Sequence, residues 1–106
     1  MAEEFDAIII GAGQSAPFLA VRLAEQGQKV AIIEREHLGG TCVNDGCTPT
    51  KTLIASARAA WMARRSAEYG VRIGGPISVD MKAVKARKDK VVSASVKSLT
   101  DWLIPL

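Results

Sequence analysis

The stretch Phe5-Asp6-Ala7-Ile8-Ile9-Ile10-Gly11-Ala12-Gly13-Gln14-Ser15-Ala16 decides the fold. Phe5 to Ile10 is a short apolar run rich in isoleucine, the pattern of a strand buried on both faces. It ends at Gly11, and residues 11–16 then follow the GxGxxA form of a dinucleotide fingerprint. Gly11 allows the tight turn, Gly13 lets backbone approach a pyrophosphate, and Ala16 lets a helix pack close to the sheet. Gln14 and Ser15 open that helix, whose free N–H groups and partial positive charge suit phosphate. Such a string alone is weak. The strand before it and the helix after it supply its meaning.

Working outward, Ser15 to Gln26 reads as a helix with Phe18, Leu19, Val21, Leu23 and Ala24 as its apolar positions. Pro17 falls in the first turn, where a missing N–H costs little, and Gly27 is a natural stop. Lys29 to Glu34 is a second apolar strand, completing a βαβ unit with parallel strands and a right-handed crossover. Glu34 ends that strand 21 residues past Gly13, the place of the acid that holds an adenosine ribose. Residues 35–48 read as a glycine-containing loop. A helix is expected from near Pro49 to about Tyr69, capped by Thr48, with Leu53, Ile54, Ala57, Ala60 and Trp61 as its buried stripe. Gly70 to Pro76 breaks it. Another helix starts after Asp80, with Met81, Val84, Lys88, Val91, Ser95, Leu99 and Trp102 inward. The fold class expected is α/β, a partial Rossmann-like domain over residues 1–106 that stops before its third parallel strand.

The 106 residues are 48% hydrophobic and 24% charged, the balance of a globular domain. No apolar stretch reaches membrane-spanning length, and the acidic start Glu3-Glu4 is unlike a secretory signal. A cytoplasmic setting is expected, without a membrane partner. The net charge of +3 hides an asymmetry: residues 1–50 carry three Lys/Arg and seven Asp/Glu, residues 51–106 eleven and four. Nucleic acid could be attracted to the basic half. The basic residues alternate with apolar ones at helical spacing, however, so a solvated helix face is the better reading and no nucleic acid is expected.

The remaining chemistry lies in Gly39-Gly40-Thr41-Cys42-Val43-Asn44-Asp45-Gly46-Cys47-Thr48-Pro49-Thr50-Lys51, which holds both cysteines. A bridge between Cys42 and Cys47 would close a very short loop and add little by chain entropy. A helix start just after Cys47 favours thiolate, and Lys51 adds positive charge one turn on. These features suit a disulfide that accepts two electrons. A zinc site would have His37, Cys42 and Cys47 as its only candidates, at spacings unlike zinc pairs, so no metal is expected.

Read together, GAGQSA, IIEREHLGG and GGTCVNDGCTPTK resemble the N-terminal FAD-binding segment of the pyridine nucleotide-disulfide oxidoreductases. The Thr48-Pro49-Thr50-Lys51 ending most resembles the mercuric-reductase-like branch. The resemblance covers at least residues 5–69 and implies FAD, with NAD(P)H as electron donor in a longer parent. By position it implies that Cys42 is the thiol that attacks substrate, Cys47 the thiol beside the flavin ring and Lys51 the lysine near the flavin. Gly11, Gly13, Gln14, Ser15 and Ala16 fall at the pyrophosphate, Glu34 and Arg35 at the ribose end, and Gly40, Thr41 and Gly46 in the flavin loop. Asp45 departs from the valine common in the family. The family's NAD(P) and dimerisation domains have no counterpart in these residues. The parent's substrate is implied to be a small disulfide or a metal ion of the Hg(II) type, and the 106 residues alone are expected to lack turnover. A self-associating, non-enzymatic α/β module and a small dithiol carrier are the alternatives. A homo-oligomer is expected on any of these readings, because the sheet edge is uncovered.

Overall fold

The computed structural model describes residues 2–104. Strand β1 (Ala7–Ile10) pairs in parallel with β2 (Val30–Ile33), in register Ala7 to Val30 through Ile10 to Ile33. Helix α1 (Ala16–Glu25) connects them. Pro17 sits in its first turn, fully buried. Its end is a Schellman motif: Gly27, at φ +81, donates to the Ala24 carbonyl, and Gln28 to that of Leu23. The βαβ unit expected from the sequence is therefore present, with a two-stranded sheet where a full doubly wound fold has more.

The packing face of α1 agrees with expectation at Val21, Leu23 and Ala24, which are half-buried, and differs from it in the first turns. Ala16, Pro17 and Ala20 are buried, while Phe18 and Leu19 are exposed. Small side chains bring the helix axis close to the sheet, which displaces the large ones to its flank. The strands show the same one-sidedness. Ala7 and Ile9 are half-buried, but Ile8 and Ile10 point to an open face, Ile10 at 87% exposure.

Within 35–48 there is a helix where a loop was expected. Helix α2 (Gly40–Asn44) is a single turn, and Asn44 holds it by donating from Nδ2 to the Leu38 and Gly40 carbonyls, each at 3.0 Å. Helix α3 runs Cys47–Arg64 and a 3₁₀ turn follows at Ser66–Tyr69. It starts two residues earlier than the proline suggested, after Gly46, so Thr48 lies inside the helix and does not cap it. Helix α4 (Met81–Leu103) starts where expected, capped by Asp80, whose Oδ1 accepts from the N–H groups of Lys82 and Ala83.

Helices α3 and α4 form an antiparallel hairpin. Arg87 Nη1 donates to the Thr52 carbonyl at 3.1 Å, while Thr48 lies near the later part of α4. The stripe expected on α3 agrees at Ala60 and is otherwise corrected: Leu53, Ile54, Ala57 and Trp61 are exposed, and the covered line is Pro49, Thr52, Ser56, Ala60 and Ala63. Thr52 is tolerated there because its hydroxyl bonds the Thr48 carbonyl at 2.7 Å. Small residues again make the contact and leave the large ones facing outward. On α4, Val84, Lys88, Val91, Ser95 and Leu99 are half-buried as read, with Met81 and Trp102 exposed. The basic surface of α4 is a solvated face with internal pairs, Lys85 to Asp89 and Lys97 to Asp101.

The result is elongated. The extents are 68 × 24 × 19 Å and the radius of gyration is 20.2 Å, against about 13 Å for a compact chain of this length. The accessible surface is 8041 Å², against roughly 5,700 Å² for a compact monomer of this mass. The core is correspondingly small, with Ala12, Ala16, Ala20 and Val43 at its centre. This is a partial Rossmann-like α/β fold.

Candidate functional site

Two glycine segments build the site by backbone contact. Gly11, at φ +94, ends β1 and donates to the Ile33 carbonyl at 2.7 Å. Gly39 donates to the Ala12 carbonyl at 2.8 Å. Gly40, at φ +66, lies so close that a Cβ there would stand 2.9 Å from Gly13 Cα. The turn between β1 and α1 is thereby pinned to the segment that carries the cysteines. Gly40→Ala combines that clash with a left-handed backbone and is expected to cost about 2 kcal/mol or more of stability, read as a shifted denaturant midpoint.

Gly13 is the opposite case. Its φ is not positive and an added Cβ would meet no protein atom within 4 Å. Nothing inside the protein requires glycine there, and the open space in front of it fits a cofactor that approaches the backbone closely.

Glu34 is fixed from both sides. Oε2 accepts from Ala12 N–H at 2.7 Å and Oε1 from Glu36 N–H at 3.1 Å. These bonds, Ala12 first, hold its carboxyl below the usual carboxylate range. The sign is that of a depressed acid. Its stabilising contribution is complete above the unfolded carboxylate's titration, roughly pH 4.3, and is lost as pH falls through the lower folded value. The melting temperature of wild type should thus fall more steeply than that of Glu34→Gln on acidification below that range; parallel curves would contradict the bond to Ala12.

The two cysteines are free thiols, Cys42 half-buried and Cys47 exposed. They are close enough to share a side-chain hydrogen bond, which pushes the Cys42 thiol up; burial adds to this, while the Cys47 backbone N–H and Lys51 act in the opposite sense. Cys47 is the first residue of α3 and its N–H, with no partner inside the helix, reaches the Cys42 sulfur. Gly46 makes the approach possible, since a Cβ there would lie 3.1 Å from the Thr41 carbonyl oxygen and 3.3 Å from Cys42 Cα. Asp45 is exposed.

Seven of the expected site residues line two clefts. One, of about 230 Å³, gathers Glu34, Arg35, Gly40 and Thr41. The other, of about 670 Å³, runs from Gly13 and Gln14 past Cys42 to α4. Cys47 and Lys51 line neither and stand on an exposed face. Ser15 begins α1 without a side-chain cap bond, and Ala16 is buried against the sheet. The sequence reading missed the α4 wall of the larger cleft, including Ser95, Ser98 and Trp102. Polar residues at inward positions of α4 were its only signal. Among the described residues, no three His, Cys, Asp or Glu side chains gather as a metal site, and no helix is long and apolar enough to cross a membrane.

A glycine turn after the first strand, an anchored acid at the end of the second and a neighbouring thiol pair come together in this part of the Rossmann-like α/β unit. A family model for pyridine nucleotide-disulphide oxidoreductases matches residues 5–102, and the chain belongs to that family. Dihydrolipoyl dehydrogenase of Rhizobium etli is 41% identical over 98% of this chain and 21% of its own length. That of Chlamydia muridarum is 44% identical over 97% and 21%. Among solved structures, a Cu(II) complex of the HOCl-induced flavoprotein disulfide reductase RclA from Escherichia coli superposes with a TM-score of 0.74 at 32% identity. It covers 95% of this chain and 19% of that one. The chain thus spans about a fifth of the length of these relatives.

Proposed function

We propose that these residues form the FAD-binding and dithiol-bearing part of a flavin-dependent disulfide oxidoreductase. The observation that supports this reading is the pinning of the Cys42 segment onto the Gly11–Gly13 turn. Gly13 and the start of α1 receive the pyrophosphate. Glu34 holds the ribose hydroxyls with lone pairs that Ala12 and Glu36 leave free, and Arg35, Gly40 and Thr41 lie around the same end. Bound FAD would supply the electron pair that reduces the Cys42–Cys47 disulfide, drawn in the full-length protein from NAD(P)H. Cys47 and Lys51, on their exposed face, are the groups turned to that chemistry. Cys42, in the larger cleft, is the thiol that meets substrate.

The structural relative, a flavoprotein disulfide reductase, favours a disulfide substrate, and its copper complex favours a metal ion as a second reading. The mercuric branch suggested by Thr48-Pro49-Thr50-Lys51 has only that tetrapeptide behind it. These 106 residues alone are expected to show single-turnover thiol exchange without NAD(P)H-driven turnover, in a cytoplasmic setting. Titration of the purified chain with FAD tests the proposal: saturable quenching of flavin fluorescence is expected, and an unsaturable, linear response would oppose it. Self-association belongs to the same proposal, given the open face of Ile8, Ile10 and Ile33. Light scattering should give a mass that rises with concentration, and a constant monomer mass would count against it.

A further inference from the structure

Asn44 lies between the two cysteines in sequence. Its Nδ2 donates to the carbonyls of Leu38 and Gly40, each at 3.0 Å. Both amide hydrogens are therefore used, on two acceptors that bracket Gly39. This fixes which end of the amide points back along the chain, since the oxygen would face two carbonyls. The segment closed in this way, residues 38–44, contains Cys42.

The two cysteines are held very unequally. Cys47 belongs to α3, a helix of 18 residues, and the Thr52 hydroxyl adds a bond to the Thr48 carbonyl in its first turns. Cys42 belongs to α2, a single turn, and a helix that short is not stable by its own backbone bonds. The turn is entered through Gly39 and Gly40, at φ +100 and +66, and Gly39 offers no side-chain cap. Two glycines give the open segment a wide choice of conformations. The bond from Gly39 to Ala12 fixes where the segment begins, and Asn44 fixes how it returns. In that arrangement the Cys47 side chain hydrogen-bonds to Cys42.

We infer that Asn44 is a positioning residue for the dithiol: by tying α2 back onto Leu38 and Gly40 it holds Cys42 toward Cys47 before any bond forms. It thereby raises the effective concentration of one thiol at the other. The inference rests on the dithiol reading above and adds the group that sets how readily the pair closes. Ordering the segment in advance removes part of the entropy that closure would otherwise cost. By linkage, the bond between the sulfurs stabilises the ordered segment by the same factor.

The test is the equilibrium of the full chain with glutathione. The protein dithiol and oxidised glutathione give the protein disulfide and two molecules of reduced glutathione. One S–S bond breaks and one forms, two electrons pass to glutathione, and its sulfurs take up the two protons. The equilibrium constant has the units of concentration and is the effective concentration of the pair. Asn44→Ala should lower it roughly ten-fold, through the loss of two neutral hydrogen bonds at a half-buried position. Asn44→Ser should fall between. A hydroxyl keeps a bond to the Gly40 carbonyl four residues back, as Ser95 does to Val91, and loses the one to Leu38. Asn44→Asp should be lowest, since a carboxylate only accepts and would face two carbonyls. If circular dichroism shows that Asn44→Asp has lost its helices, the Ala and Ser variants decide. Asp80→Ala is the control for stability alone, because it removes the cap of α4 roughly 16 Å along the helix from Val91, which lines the cleft with Cys42. It should lower the melting temperature and leave the constant within about two-fold. A constant unchanged in Asn44→Ala, or lowered as far by Asp80→Ala, would overturn the positioning role. A wild-type chain that forms no Cys42–Cys47 bond in any buffer would instead overturn the dithiol reading beneath it.

Discussion

Gly13→Val lowers FAD affinity by roughly 100-fold or more while leaving the melt of the free chain unchanged. Both halves of this expectation follow from one observation, that a Cβ at Gly13 meets no protein atom within 4 Å. The free protein has room for a Cβ at this position, and the backbone φ there is not positive. A pyrophosphate at that turn has no room, and moving it away from the start of α1 breaks charge-assisted hydrogen bonds of about 1.5–3 kcal/mol each. Two such losses correspond to roughly two orders of magnitude or more in affinity. Gly40→Ala is the matched control, since it acts on the fold through its contact with Gly13. Equal FAD affinity for wild type and Gly13→Val, by fluorescence titration, would remove the turn from the cofactor site.

The second large effect separates the two cysteines. Cys42→Ser should slow exchange with a neutral disulfide by on the order of 100-fold or more, because a hydroxyl cannot replace the thiolate as nucleophile. Cys47→Ser should leave the first attack in place and stop the reaction at a mixed disulfide on Cys42, visible by intact mass. A pH dependence accompanies this. Cys42 is pushed up chiefly by the hydrogen bond to the Cys47 side chain. In Cys47→Ala that cause is gone, so the rate of Cys42 alkylation should rise at a lower pH than in wild type. A mixed disulfide trapped on Cys47 in the Cys42→Ser protein, at an undiminished rate, would reverse the assigned roles.

The βαβ unit was legible because its signals are local: an isoleucine run, a glycine turn and an acid at fixed spacing. Asp80 announced α4 for the same reason, by capping it. The packing faces were less legible. Periodicity marks large apolar residues as inward, yet on α1 and α3 the contacts are made largely by Ala16, Ala20, Pro49 and Thr52, and Phe18, Leu53 and Trp61 face outward. Close backbone approach selects small residues, and hydrophobic patterning weights large ones. Helix α2 escaped notice because a single turn begun by two glycines has no period to read, and its hold comes from Asn44. Within the site, the cysteines, Glu34 and Gly13 were visible as types at spacings. The contact of Gly40 with Gly13 and the α4 wall beside Cys42 exist only through the tertiary fold.

The central claim is that Cys42 and Cys47 act as one two-electron couple. Its most direct test is peptide mapping of the chain equilibrated in glutathione buffers from reducing to oxidising. The account predicts a single transition to a species lighter by two hydrogens, with the Cys42 and Cys47 peptides joined, and no stable glutathione adduct. Two cysteines that take up glutathione independently, or stay free throughout, would contradict it.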